Sequence, residues 1–119
     1  MNDDAAIDTS RLDDLRDLFQ EDFTNALASF LENAQAYTTA IGGALAKGDC
    51  QEAERNAHKL KSSAAMFGAV FVSAVTVDIE TEAHRDDIAK AQVLYERLVP
   101  EMAKINVLIA AYCRDTEVP

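Results

Sequence analysis

The segment Cys50-Gln-Glu-Ala-Glu-Arg-Asn-Ala-His58-Lys-Leu-Lys-Ser-Ser-Ala-Ala-Met-Phe67 repeats its apolar side chains in steps of three and four. On a helix turning ~100° per residue, Cys50, Ala53, Ala57, Leu60, Ala64 and Phe67 cluster within about 100° of arc. That stripe predicts an amphipathic helix with one face against a core. His58 lies about 130° from the centre of the stripe, so its imidazole is expected to face solvent. Glu54 stands one turn before it on the same face, Lys61 and Ser62 one turn after, and Ala65 two turns after. The later neighbours are mostly small, which leaves the ring open to a second molecule. Lys61, and Lys59 beside it, supply cations able to hold an anionic group.

The pattern extends in both directions. Asp49-Cys-Gln-Glu52 reads as a capping box opening this helix, and Gly48 is placed to end the one before. That earlier helix, about 21–47, shows Phe23, Leu27, Phe30, Ala34, Tyr37, Ile41 and Ala44 in one stripe. Gly42-Gly43 weakens its last turns by roughly 1 kcal/mol per glycine, so fraying or a bend is expected there. Gly68 interrupts the His58 helix, as a structural stop. A fourth helix, about 69–84, keeps Val70, Ala74, Val77 and Thr81 at helical spacing although Val70–Val77 could pass for a strand. A last helix starts near Asp86 or Asp87 and carries Ala91, Leu94, Leu98, Met102, Ile105, Ile109 and Tyr112. Pro100 lacks the N–H owed to the Glu96 carbonyl and is expected to kink or split it. At the front, Ser10 with Asp13 predicts a cap for a short helix bearing Leu12, Leu15, Leu18 and Phe19, behind a flexible tail at 1–9. The expectation is an all-α fold: an up-and-down antiparallel four-helix bundle with a short additional N-terminal helix, one domain over 10–115.

Composition narrows the function. In 119 residues, 49% apolar and 27% charged, with four glycines and two prolines, the chain has the make-up of one folded domain. A formal net charge of −10 disfavours nucleic acid and anionic membranes as partners. Apolar runs are far shorter than the ~20 residues of a membrane helix, and residues 1–10 carry acids where a signal peptide carries bases. A cytoplasmic monomer is expected. Cys50 and Cys113 are too few and too distant for a disulfide framework or zinc site, and both read as buried or half-buried thiols. No metal or cofactor of its own is expected.

Residues 57–69, Ala-His-Lys-Leu-Lys-Ser-Ser-Ala-Ala-Met-Phe-Gly-Ala, closely resemble the signature of histidine phosphotransfer domains, Ala-His-x-Leu-Lys-Gly-Ser-x-x-x-x-Gly-Ala. His58, Leu60, Lys61, Ser63, Gly68 and Ala69 match at fixed offsets. Phe30-Leu-Glu-Asn, the Lys47-Gly-Asp-Cys turn and Ile79-Glu80 extend the resemblance over about 18–110. It implies a phosphorelay intermediate in which His58 is phosphorylated on Nε2, Lys61 lies near the phosphate and a small residue at 62 leaves room for the partner. Ser62 departs from the usual glycine; its hydroxyl is expected either to narrow the approach or to hydrogen-bond to the imidazole or phosphoryl group. The partners implied are receiver domains of response regulators and hybrid histidine kinases, which bring an acidic pocket and a divalent metal ion. The family docks them on an apolar patch formed by the leading helix and the start of the next, making Leu12, Leu15, Phe19 and Phe23, with Ala65, the docking candidates.

The chemistry agrees with this. Histidine side chains ordinarily titrate at about pH 6.5, so an exposed imidazole is mostly neutral and nucleophilic at neutral pH. No nucleotide-binding glycine-rich loop is present, which predicts a relay without its own ATP-dependent kinase activity. Two rivals exist. Glu54/His58 and Glu80/His84 are each spaced by four, as metal ligands on helices can be, but di-iron bundles use a spacing of three with inward ligands. A helical adaptor that binds receivers or kinases without being phosphorylated would keep the fold, though the intact His58 and Lys61 argue against it. His84 has Asp87 rather than a lysine at i+3, and reads as a surface residue.

Overall fold

The computed structural model describes residues 6–116, and among these it contains five α-helices and no strand. Helix α1 spans Thr9–Phe19, and a 3-10 turn at Gln20–Asp22 leads into α2, Phe23–Ala46. Helices α3, Cys50–Met66, α4, Val70–His84, and α5, Ile88–Asp115, complete the chain. The helices α2 to α5 run up and down, each packing on its sequence neighbour, with α5 closing the ring against α2. The bundle with a short leading helix is therefore the fold.

The core consists of the stripes that the sequence displays. Phe23, Leu27, Phe30, Ala34, Ile41 and Ala44 of α2 are buried, as are Ala53, Ala57, Leu60 and Ala64 of α3. Phe30 and Phe67 stack with centroids 4.5 Å apart, joining α2 to the end of α3. The small alanines of α3 let its neighbours approach closely, and so place its outer face, with His58, on an open surface. Asp49 caps α3 by accepting from the Glu52 N–H at 3.1 Å.

Four expectations need correction. In α4 the buried residues are Val72, Val75, Thr76, Ile79 and Ala83, whereas Val70 and Val77 are exposed. The run 70–77 is apolar at nearly every position, so two faces have helical spacing; Ser73 and Glu80, directed at α3, select between them. Pro100 lies inside an unbroken α5, so it does not split the helix in two. Both Pro100 and Glu96 are exposed, so the carbonyl deprived of its donor can be hydrated. Helix α2 likewise continues past Gly42 and Gly43, where Tyr95 packs against the space a Gly42 side chain would occupy. Finally, Asp8 rather than Ser10 caps α1, accepting from Ser10 and Arg11 N–H groups, and Ala6 and Ile7 are buried. Of the expected tail, residues 1–5 lie outside the described residues.

Helix α1 lies across one end of the bundle. Asp8 N–H donates to the Gly68 carbonyl at 2.7 Å and Arg11 Nε to the Met66 carbonyl at 3.0 Å. At its other end Arg16 donates to the Thr116 carbonyl at 3.0 Å, and Tyr112 donates to Asp13. Burial and that bond to Asp13 push the Tyr112 hydroxyl up to about 12.

Gly68 makes this docking possible. Its φ is +76°, and a Cβ there would stand 2.8 Å from the Asp8 carbonyl oxygen. Gly48 has a similar φ of +73° but open space around it. Gly48→Ala should cost about 1 kcal/mol of stability through backbone strain alone, and Gly68→Ala about 2 kcal/mol or more because α1 must also shift. Urea unfolding of the two variants checks the order; equal losses would show that the Asp8–Gly68 contact contributes nothing.

Candidate functional site

His58 projects from the middle of α3 with 61% of its side chain exposed, as the periodicity predicts. Its ring is nevertheless held. Nδ1 lies 2.7 Å from Glu80 Oε2 on the antiparallel helix α4. The other carboxylate oxygen of Glu80 accepts from Lys61 Nζ at 2.6 Å. One carboxylate thus bridges the histidine and the lysine, three residues apart on α3.

The electrostatics fix the proton. Burial pushes the Glu80 carboxyl up, but the hydrogen bonds and charge from Lys61 and His58 outweigh it, and the net value lies below the ordinary one. Glu80 is therefore ionised near neutral pH and can only accept. Nδ1 must carry the hydrogen, and in the neutral ring Nε2 holds the free lone pair. Nε2, with its lone pair, stands on the ring edge directed away from Glu80.

Glu54, Arg55, Lys59 and Gln51 line the open groove that His58 and Glu80 share. Lys59 and Ala65 are exposed; Lys61 is half-buried beneath its ion pair. The Ser62 hydroxyl donates to the His58 backbone carbonyl at 3.2 Å. It does not bond to the imidazole, because the i−4 carbonyl is the nearer acceptor for a serine inside a helix.

His84 has a similar partner: its Nδ1 lies 3.0 Å from Glu54 Oε2. The two Glu/His sets spaced by four thus pair across the α3–α4 seam rather than along either helix. No group of three or more His, Cys, Asp or Glu side chains converges as a metal site among the described residues. Nor is any described helix long and apolar enough to cross a membrane. Cys50 is buried and Cys113 half-buried; burial raises both thiols above their usual range.

A scan against family models matches residues 25–107 to the Hpt domain. The chain belongs to the Hpt domain family. No curated protein sequence matches it. Among solved structures it is similar to the crystal structure of histidine-containing phosphotransfer protein B (HptB) from Pseudomonas aeruginosa PAO1, at 22% identity. The match covers 94% of this chain and 95% of that one with a TM-score of 0.85, so the two share a fold.

Within this Hpt domain the expected site residues divide in two. His58, Lys61, Lys59, Ser62 and Ala65 lie along one outward side of α3. The docking candidates do not join them: Leu12, Leu15 and Phe23 are buried and Phe19 is half-buried, all packed into the core. Their spacing served the packing of α1 onto the bundle. Glu80 was missed as a site residue; beyond its spacing of four to His84, its family-like Ile79-Glu80 pair was its one signal in the sequence. Its contribution is testable through pH. With a folded value below the ordinary 4.5, the stability it confers is present above that pH and is lost as pH falls through the folded value. Glu80→Gln should therefore cost roughly 1 kcal/mol at pH 7, with the gap to wild type closing towards pH 3. Unfolding midpoints at the two pH values measure this, and a gap independent of pH would count against the ionised bridge.

Proposed function

We propose that this Hpt domain relays a phosphoryl group between aspartates of receiver domains through a phosphohistidine at His58 Nε2. Histidine phosphotransfer in a phosphorelay is the activity of its family, and the observation that supports His58 as the carrier is the Glu80 bond to Nδ1, which leaves Nε2 free.

In the forward step the Nε2 lone pair attacks phosphorus as the bond to the donor aspartate's oxygen breaks, returning that aspartate as a carboxylate. The Nδ1 proton stays on the ring, and Glu80 offsets the positive charge that the imidazole gains. Lys61, which pairs with Glu80 at 2.6 Å in the resting domain, is the cation that would swing to the phosphoryl oxygens. Lys59 adds positive charge at the rim of the same groove. The second receiver's aspartate then takes the group from Nε2 by the reverse of this sequence. The receiver supplies the divalent metal ion and the acidic pocket; this chain supplies a positioned nitrogen and a cation, with no metal or cofactor of its own. It acts as a cytoplasmic monomer and draws phosphate from receivers rather than from ATP.

Incubation with a receiver carrying labelled phosphoaspartate should place acid-labile, alkali-stable phosphate on the wild-type chain and none on His58→Gln. Lys61→Ala should slow transfer about tenfold, the loss of one charge-assisted contact to phosphate. Labelled ATP alone should leave the chain unlabelled. Transfer to His58→Gln at the wild-type rate would overturn the site, and wild-type protein that binds receivers without acquiring phosphate would be an adaptor instead.

A further inference from the structure

Helix α5 has a second ordered face besides the one it buries. Leu98, Met102, Ile105, Ile109 and Tyr112 point into the bundle. On the opposite side Glu96, Pro100, Ala103, Val107, Ala110 and Arg114 are all exposed, Val107 by 68%. Their spacing alternates four and three, the alternation with which a helix lines up a seam against another helix. The strip runs roughly 27 Å along α5.

The strip is uncharged along its length and oppositely charged at its two ends. Among the described residues neither Glu96 nor Arg114 has an ion-pair partner. Its order of residues is complementary to itself in reverse. Two copies of α5 laid antiparallel, about a two-fold axis level with residue 105, bring Glu96 against the partner's Arg114. In the same register Pro100 meets the partner's Ala110 and Ala103 meets the partner's Val107, and the symmetry makes each contact twice. A parallel pair would instead set glutamate on glutamate and arginine on arginine.

The residues flanking the axis fit the same arrangement. Asn106 faces its own copy, and a side-chain amide offers both donor and acceptor. Lys104 also faces its copy, but its charge is offset within the chain by Glu101 at 3.3 Å. Ala103 and Ala110 are small enough to let the two helix axes approach closely. A net charge of −10 opposes self-association over most of the surface, whereas here each end contributes an attraction.

We propose that two copies of this chain pair antiparallel through the outer faces of α5, with Glu96–Arg114 ion pairs at both ends. Helices α3 and α5 each pack on α2 and α4, so they stand diagonally in the bundle and their outer faces point apart. Both His58 side chains stay open in the pair, on opposite sides of it. A strip of that length and about 12 Å wide covers roughly 300 Å² on each copy, well below the ~800 Å² of a standard interface. The association is therefore weak and concentration-dependent, and the single chain remains the unit of phosphotransfer. What pairing adds is two acceptor histidines in one particle, which a partner carrying two receivers can engage together.

Sedimentation equilibrium of the full chain tests this without any phosphate chemistry, and so independently of the relay role. Monomers should pass to dimers as concentration rises. Glu96→Arg and Arg114→Glu should each raise the dissociation constant about tenfold, because two attractions become two repulsions. Mixed in equal amounts, these two variants should form heterodimers of about wild-type strength, since each reversed charge then faces its opposite. Leu18→Glu, on α1, should stay within about twofold of wild type. A wild-type chain that remains monomeric up to about 1 mM would overturn the pairing. So would self-association that neither charge reversal weakens, or two weakened variants that do not recover on mixing.

Discussion

The geometry of the site depends on one carboxylate shared between two helices. Glu80 accepts from His58 Nδ1 at 2.7 Å and from Lys61 Nζ at 2.6 Å, and it does so from α4 while both partners stand on α3. Each half of the bridge needs the other. Lys61 helps to keep Glu80 ionised despite partial burial, and an ionised Glu80 gives the histidine one tautomer. The bridge also sets the rotation of α4, whose apolar positions alone permit two faces to turn inward. A packing decision between helices and a proton decision on a ring are thereby made by the same side chain.

Around this contact the bundle acts as a rigid support. Alanines at 53, 57 and 64 bring neighbouring helices close to α3 without covering its outer side, so that His58 is both firmly based and exposed. Helix α1 closes the end of the bundle through Gly68, whose backbone allows Asp8 to approach. Leu12 and Leu15 of α1 become part of the core. A domain that must accept from one protein and donate to another gains from this arrangement, because the His58 ring is held by Glu80 before either partner arrives.

Much of this was legible in the sequence where one strong periodicity stood alone. The stripes of α2, α3 and α5, the Asp49 cap and the exposure of His58 follow from spacing on isolated amphipathic segments. The rotation of α4 did not, since Val70–Val77 is apolar on two faces and only contacts with α3 distinguish them. Glu80 escaped for a related reason: its partners are 19 and 22 residues away, so no local pattern marks it. Leu12, Leu15 and Phe23 have the composition of a docking patch and equally of a core, and burial alone separates the two. Asp8 displaced Ser10 as the cap of α1 because its carboxylate reaches the Ser10 and Arg11 N–H groups while its own N–H meets Gly68. That last contact is tertiary and has no signature in the tail itself.

The central claim is that Glu80 fixes the proton on Nδ1 so that Nε2 takes the phosphoryl group. Long-range proton–nitrogen correlation spectra of the histidine rings, recorded before and after phosphorylation, test it directly. The account predicts an Nδ1–H tautomer for the neutral ring of His58, followed by phosphorus coupling at Nε2. A neutral ring protonated on Nε2, or phosphorus attached to Nδ1, would contradict it.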